Sequence, residues 1–141
     1  MTNRKLTETI TVLAIAVLAL TVFAPGISAQ AKYARMEIPF DFYVGSALMP
    51  AGPYSIAHDS NLRAVQIVGR NGHAVTFLPL QSQGRATDKN RLVFNRYGAL
   101  NFLSEMQLAD SSASLKVRAS KLELEARLAK RPTQVTVHPS N

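Results

Sequence analysis

Apolar and polar side chains alternate without a break over residues 36–44, with Met36, Ile38, Phe40, Phe42 and Val44 on one side and Glu37, Pro39, Asp41 and Tyr43 on the other. A period of two predicts a strand with one face buried. Pro39 has no N–H to offer a ladder, so this strand is expected at a sheet edge, or with the proline at a bulge. Gly45 ends it, and Met49-Pro50-Ala51-Gly52 carries proline and glycine where a type I turn favours them. Residues 53–58 read as a second strand with Tyr54 and Ile56 on one face, and 63–70 as a third, after the turn formers Asp59-Ser60-Asn61.

Asn71-Gly72, between two apolar runs, predicts a two-residue hairpin loop with positive φ at both positions. That loop sets Arg70 against His73, Val68 against Val75 and Gln66 against Phe77, and leaves Val65, Ile67, Ala74, Thr76 and Leu78 on the other face. Both faces then carry apolar residues, so the sheet is expected to be curved, closed or covered. Residues 81–90 are polar and rich in turn formers, the composition of a mobile loop. A second hairpin pairs 91–97 with 100–107 around Gly98. A two-residue loop would bury Leu92 beside Glu105. A three-residue loop instead pairs Phe94 with Phe102 and Arg91 with Glu105, and cross-strand aromatic and charge pairs favour it.

After Asp110-Ser111-Ser112 the periodicity fits two structures. Leu115, Val117 and Ala119 alternate, while Leu115, Ala119, Leu122, Ala126 and Ala129 form a helical stripe. Composition separates them: no β-branched residue lies between Arg118 and Thr133, and good helix formers dominate there. Glu123 and Arg127 add a favourable i, i+4 pair. Residues 115–118 are therefore expected to be extended and 119–131 helical, stopped by Pro132, with the remainder a tail or a last weak strand over 134–137. The fold class expected is mainly β: a single antiparallel β-sandwich or small barrel of about six strands with a C-terminal α-helix.

The start of the chain has a different pattern. Arg4 and Lys5 precede a fifteen-residue apolar run, 10–24, then Pro25-Gly26 and the small residues of Ala29-Gln30-Ala31. That order predicts an export signal over residues 1–31, cleaved after Ala31 or after Ala29. The run is short of the ~20 residues that span a bilayer as a helix. The expected organisation is a signal at 1–31, a β-rich domain at 32–131 and a tail at 132–141, located in the periplasm or outside the cell, with no transmembrane span once the signal is removed.

Composition narrows the chemistry. The absence of cysteine excludes disulfides, thiolate metal sites and thiol catalysis. Removing Arg4, Lys5 and Glu8 with the signal takes the 16 basic and 9 acidic residues to 14 and 8, a net charge of +6. Such a chain is drawn to anionic partners: an acidic glycan, a lipid headgroup or an envelope protein. Nucleic acid is disfavoured, since export removes it and no aromatic-plus-basic motif is present. The basic residues near the C-terminus are spread round the expected helix, so no one-sided membrane-binding face is expected there.

Ile38-Pro39-Phe40-Asp41-Phe42-Tyr43-Val44-Gly45, Leu48-Met49-Pro50-Ala51-Gly52-Pro53-Tyr54-Ser55-Ile56, Val93-Phe94-Asn95-Arg96-Tyr97-Gly98 and Phe102-Leu103-Ser104-Glu105 occur in that order. Together they resemble a group of small exported bacterial proteins of unknown function. Those sequences run IPFxFxVGxxxLPAGxYxI, then VFxRYG and FLSE, and finish in a helix rich in Glu, Arg, Leu and Ala. Pro53 departs from the pattern, where the group usually has a charged residue. The resemblance implies export and one β-rich domain, and no activity, cofactor or catalytic residue.

No catalytic constellation stands out. Ser46 lacks the glycine that would complete a nucleophile elbow, since Leu48 occupies that place. His58 and Asp59 are strand neighbours and point to opposite faces. His58, His73 and His138 lack metal-ligand spacing, and no glycine-rich phosphate loop is present, so no metal and no cofactor is expected. Asp41 and Glu105 are the acids a glycoside hydrolase could use, although surface charge or a structural salt bridge is the better account, since Asp41 lies on the outward face of its strand and Glu105 has Arg91 as a partner. Arg96 and Tyr97, at the hairpin end before Gly98, are candidates to hold an anionic or sugar ligand, with Arg96 otherwise paired to Asp41 or Glu105. Three readings follow: a non-enzymatic binding or structural module, a small hydrolase acting on envelope polymers, and a secreted protein that self-assembles through its edge strands.

Overall fold

A computed structural model describes residues 32–139. The expected signal and its cleavage sites at Ala31 and Ala29 lie outside the described residues. The described chain is mainly β, two sheets packed face to face with one helix, and it is not closed into a barrel. Eleven strands are present among the described residues, where about six were expected. The first sheet has the order β1-β4-β5-β6, formed by β1 (Lys32–Ile38), β4 (Gly52–Asp59), β5 (Ala64–Gly69) and β6 (Ala74–Phe77). The second runs β11-β8-β9-β10-β7, from β11 (Thr133–Val137), β8 (Arg91–Tyr97), β9 (Leu100–Gln107), β10 (Ser111–Lys116) and β7 (Leu80–Thr87). The hairpin of β2 (Phe42–Val44) and β3 (Ala47–Met49) joins it through β9, to which β2 runs parallel. The helix α1 (Lys121–Ala129) lies between β10 and β11 in sequence.

The strand expected over 36–44 is two strands in different sheets. β1 ends at Ile38 on an edge of the first sheet, and Pro39, Phe40 and Asp41 carry the chain across to β2. The alternation survives the crossing because both strands bury the same side of the chain: Ile38 and Phe42 are inaccessible and Phe40 is partly covered. Phe42 stands at the centre of the sandwich, edge-on to Tyr54 of the first sheet at 5.2 Å and to Phe94 of the second at 5.4 Å. Around it pack Met36, Ile56, Val65 and Ile67 from one sheet and Met49, Leu92, Leu103, Met106 and Leu115 from the other.

The hairpin at Asn71-Gly72 is present, with its register one residue from the expected one. Gly69 N–H donates to His73 at 2.8 Å and Gly72 N–H to Gly69 at 3.1 Å, so the loop holds three residues, Arg70-Asn71-Gly72. Only Gly72 has positive φ; Asn71 instead accepts the His73 N–H on its side chain at 3.2 Å. This is the three-residue loop with a left-handed last residue. It pairs Ile67 with Val75 and Val65 with Phe77, which gathers these four on the core side and sends Gln66, Val68, Ala74 and Thr76 to solvent. The apparent two-faced apolar pattern was a product of the other register.

Residues 81–90 are not a loop. Most of them belong to β7, an edge strand paired with β10 alone. Both of its faces are largely exposed, so no apolar alternation marks it. The second hairpin has the two-residue loop, pairing Tyr97 with Leu100, Asn95 with Phe102 and Phe94 with Leu103. A bulge then places Val93 opposite Glu105 and Leu92 opposite Met106. The extra residue is Ser104, whose hydroxyl donates to Val93 at 2.9 Å and whose carbonyl accepts from Val117 at 2.9 Å. The bulge removes the clash of Leu92 with Glu105 that argued against this loop. Glu105 accepts from Ser114 at 2.6 Å, and Arg91 faces Gln107, so the expected Arg91–Glu105 pair does not form.

The helix forms as expected, one turn shorter, with Ser120 as N-cap accepting the Glu123 N–H at 3.2 Å. Of the alternatives for the end of the chain, the strand is the one found: β11 pairs with β8 and brings Val137 into the core, so the β-rich unit continues past Arg131.

Candidate functional site

The strand register of the first sheet builds a basic hollow on its solvent face. Arg35 on β1 lies opposite Ser55 on β4, which lies opposite Val68 on β5. In the adjacent row Glu37 faces Pro53, and the Arg70 N–H reaches the Pro53 carbonyl at 3.3 Å. Arg35, on β1, and Arg70, in the loop after β5, therefore border the same small patch from opposite sides of β4. Short side chains in the middle and long ones at the border leave a depression of about 430 Å³ lined by Arg35, Glu37, Pro53, Tyr54, Ser55, Val68 and Arg70. A second depression, also about 430 Å³, continues past Arg70 over Ala51, Gly52, Tyr54 and Asn71. Arg35 and Arg70 are exposed, and neither makes an ion pair among the described residues.

Tyr54 forms the wall shared by both depressions. Its ring lies across Gly69, its cross-strand partner, and its hydroxyl donates to the Pro50 carbonyl at 2.5 Å. Burial raises the phenol above its ordinary range; the hydrogen bond with Asn71 opposes that shift and the Asp41 charge adds to it. It stays neutral around pH 7, and among the residues lining the two depressions Arg35 and Arg70 carry the positive charge and Glu37 the negative.

The residues selected from the sequence have other roles. Arg96 does not pair with Asp41 or Glu105. Its Nε donates to Asn101 at 2.7 Å and its guanidinium lies 5.0 Å from the Phe40 ring. Asn101, buried, donates in turn to the Asp41 carbonyl at 2.9 Å, and the Asp41 carboxylate accepts the Ala51 N–H at 2.7 Å. Arg96 and Asp41 are thus brought together through Asn101, as a brace between the β8–β9 hairpin, the crossing at 39–41 and the link from β3 to β4. Tyr97, next to Arg96 on the strand, points to the opposite face and is buried against Phe102. Glu105, further along β9, is held by Ser114. The four do not share a cavity.

A smaller polar cleft of about 270 Å³ lies under α1, lined by Asn95, Tyr97, Ser104, Glu123 and Arg127 among others. Glu123 is buried there and accepts from Asn95 at 3.0 Å. Burial raises the Tyr97 phenol, Glu123 adds to the shift, and Arg127 opposes it. One carboxylate held by an amide fastens the helix to the sheet. Among the described residues no three His, Asp or Glu side chains gather as a metal site.

Comparison with protein-family models, curated proteins and solved structures finds no match. Arg35 and Arg70 were not selected from the sequence because they lie 35 positions apart and meet only through the pairing of β1, β4 and β5. Their outward places on two strands were the one signal available.

Proposed function

We propose that this chain is a non-enzymatic binding module that works outside the cytoplasm and holds an anionic group, of the kind an acidic glycan carries, between Arg35 and Arg70. The observation that carries this reading is the pair of exposed guanidiniums, neither in an ion pair among the described residues, bordering one hollow. Guanidiniums bind carboxylates through paired hydrogen bonds, and the exposed Ser55 between them adds a hydroxyl suited to a sugar hydroxyl. The export-signal pattern of residues 1–31 and the resemblance carried by residues 38–56 and 93–105 support the location.

A hydrolase reading has no comparable support, because Asp41 and Glu105 are bound to separate neighbours and line neither hollow. Self-assembly is disfavoured at two of the four sheet edges: β6 has four residues, and β7 is interrupted by a register shift and carries Arg85.

Titration calorimetry with uronic-acid oligosaccharides, and with neutral ones of equal length, tests the reading. Binding of the acidic series alone, weakened roughly tenfold or more by Arg35→Gln with Arg70→Gln, is expected, the size of losing charge-assisted hydrogen bonds. Equal binding by the double variant, or no binding of either series, would overturn it.

A further inference from the structure

The helix buries one glutamate and leaves its leucines exposed. Glu123 is buried, whereas Leu122, Leu124 and Leu128 are 38, 49 and 90% exposed. A surface helix ordinarily does the opposite. The reason lies beneath it: the outer face of the second sheet presents Asn95, Tyr97 and Ser104 at this point, and Asn95 takes the Glu123 carboxylate. With Glu123 hidden, Glu125 is the only acid exposed on the helix, and it lies 3.9 Å from Lys121. Arg118, Lys121, Arg127, Lys130 and Arg131 are all exposed around it. The spread of these charges round the helix, which argued against a membrane-binding face in the sequence, matters less once the inward side is known.

We infer that α1 docks the protein on a bilayer surface rich in anionic phospholipid. Leu124 and Leu128, one turn apart, enter the interface, and the surrounding Lys and Arg side chains lie over the headgroups. Charge complementarity selects an anionic surface, and the leucines select lipid over a soluble polyanion, which offers them nothing apolar. At nine residues the helix is about 14 Å long and lies on the surface rather than crossing it. This inference does not depend on the Arg35–Arg70 hollow.

The chain has no cysteine, so single substitutions give unique labels. Leu128→Cys and, on the solvent face of the first sheet, Ala74→Cys each carry an environment-sensitive fluorophore in the full chain. Vesicles containing phosphatidylglycerol should blue-shift the label at 128 and not at 74, and pure phosphatidylcholine vesicles should shift neither. Leu124→Ser should weaken the response roughly tenfold. Lys130→Gln and Arg131→Gln should each weaken it roughly fivefold. Arg35→Gln with Arg70→Gln should leave it unchanged. A label at 128 that stays in water, labels at both sites that respond alike, or an equal shift with a soluble acidic polysaccharide would overturn the inference.

Discussion

Gly69→Ala tests the packing behind the proposed hollow, since Gly69 is where the Tyr54 ring rests. A Cβ added there would meet Tyr54 Cε1 at 2.8 Å, Tyr54 Cζ at 3.3 Å and Asn71 Oδ1 at 2.6 Å. Carbon atoms in contact ordinarily stand about 3.5–4.0 Å apart. The Asn71 amide can swing away, at the expense of the bond it accepts from His73. The ring has less freedom: Tyr54 is 2% exposed, edge-on to Phe42, and tied to the Pro50 carbonyl. Forcing an extra carbon into such packing costs about 1–3 kcal/mol. Losing one hydrogen bond costs about 1 kcal/mol more. Gly69 does not have positive φ, so alanine gains back about 0.4–1 kcal/mol from the unfolded chain. The net loss expected is about 2 kcal/mol, read as a lower urea midpoint at unchanged slope. Repeating Gly69→Ala in a Tyr54→Leu background should abolish most of that loss, because the atom it strikes is gone. A neutral Gly69→Ala, or the same loss in both backgrounds, would refute the close approach of the Tyr54 ring to Gly69.

Two further outcomes are expected. Ser120→Ala removes the side chain that accepts the Glu123 N–H and should cost about 1 kcal/mol in the same melts, the usual value of an N-cap. Tyr54 and Tyr97 both have pKa values raised above the ordinary 10.0, so the folded chain keeps protons that the unfolded chain releases. Their contribution is complete below the unfolded value and is lost as pH rises through the folded ones. Urea midpoints should therefore decline above about pH 10, and Tyr54→Phe with Tyr97→Phe should flatten that decline.

The sequence pattern identified several of the strands that bury one face and leave the other wet. β4 and β5 appear close to where alternation puts them, and α1 where composition does. What it could not provide was the partner of each strand. β7 escaped because an edge strand exposed on both faces has no reason to alternate. The single run over 36–44 concealed a change of sheet, since crossing the sandwich keeps the same side chains pointing inward. Both hairpin registers differed from expectation for a related reason. The loops were judged by local turn preference and by isolated pairs. The observed choice depends on gathering Val65, Ile67, Val75 and Phe77 on one face, and on a bulge at Ser104 that repairs the second pairing.

The same limitation governs the site. Arg96 and Tyr97 attracted attention because they are polar groups at a hairpin end, where ligands are often held. Arg96 instead spans a buried asparagine and an aromatic ring, and Tyr97 fills the underside of the helix. A charged residue near a tight turn is thus consumed by structure when the opposite sheet or a helix supplies its partner. Among the described residues, Arg35 and Arg70 stand exposed without an ion pair where the side chains between them, Ser55 and Pro53, are short. Finding such a place needs the register, because the residues that make room for a ligand belong to different strands from those that would hold it. Glu123 is the converse case. Its S-x-x-E spacing from Ser120 could have marked the start of the helix in the sequence. Only the outer sheet face shows that the glutamate turns inward and leaves the leucines outside.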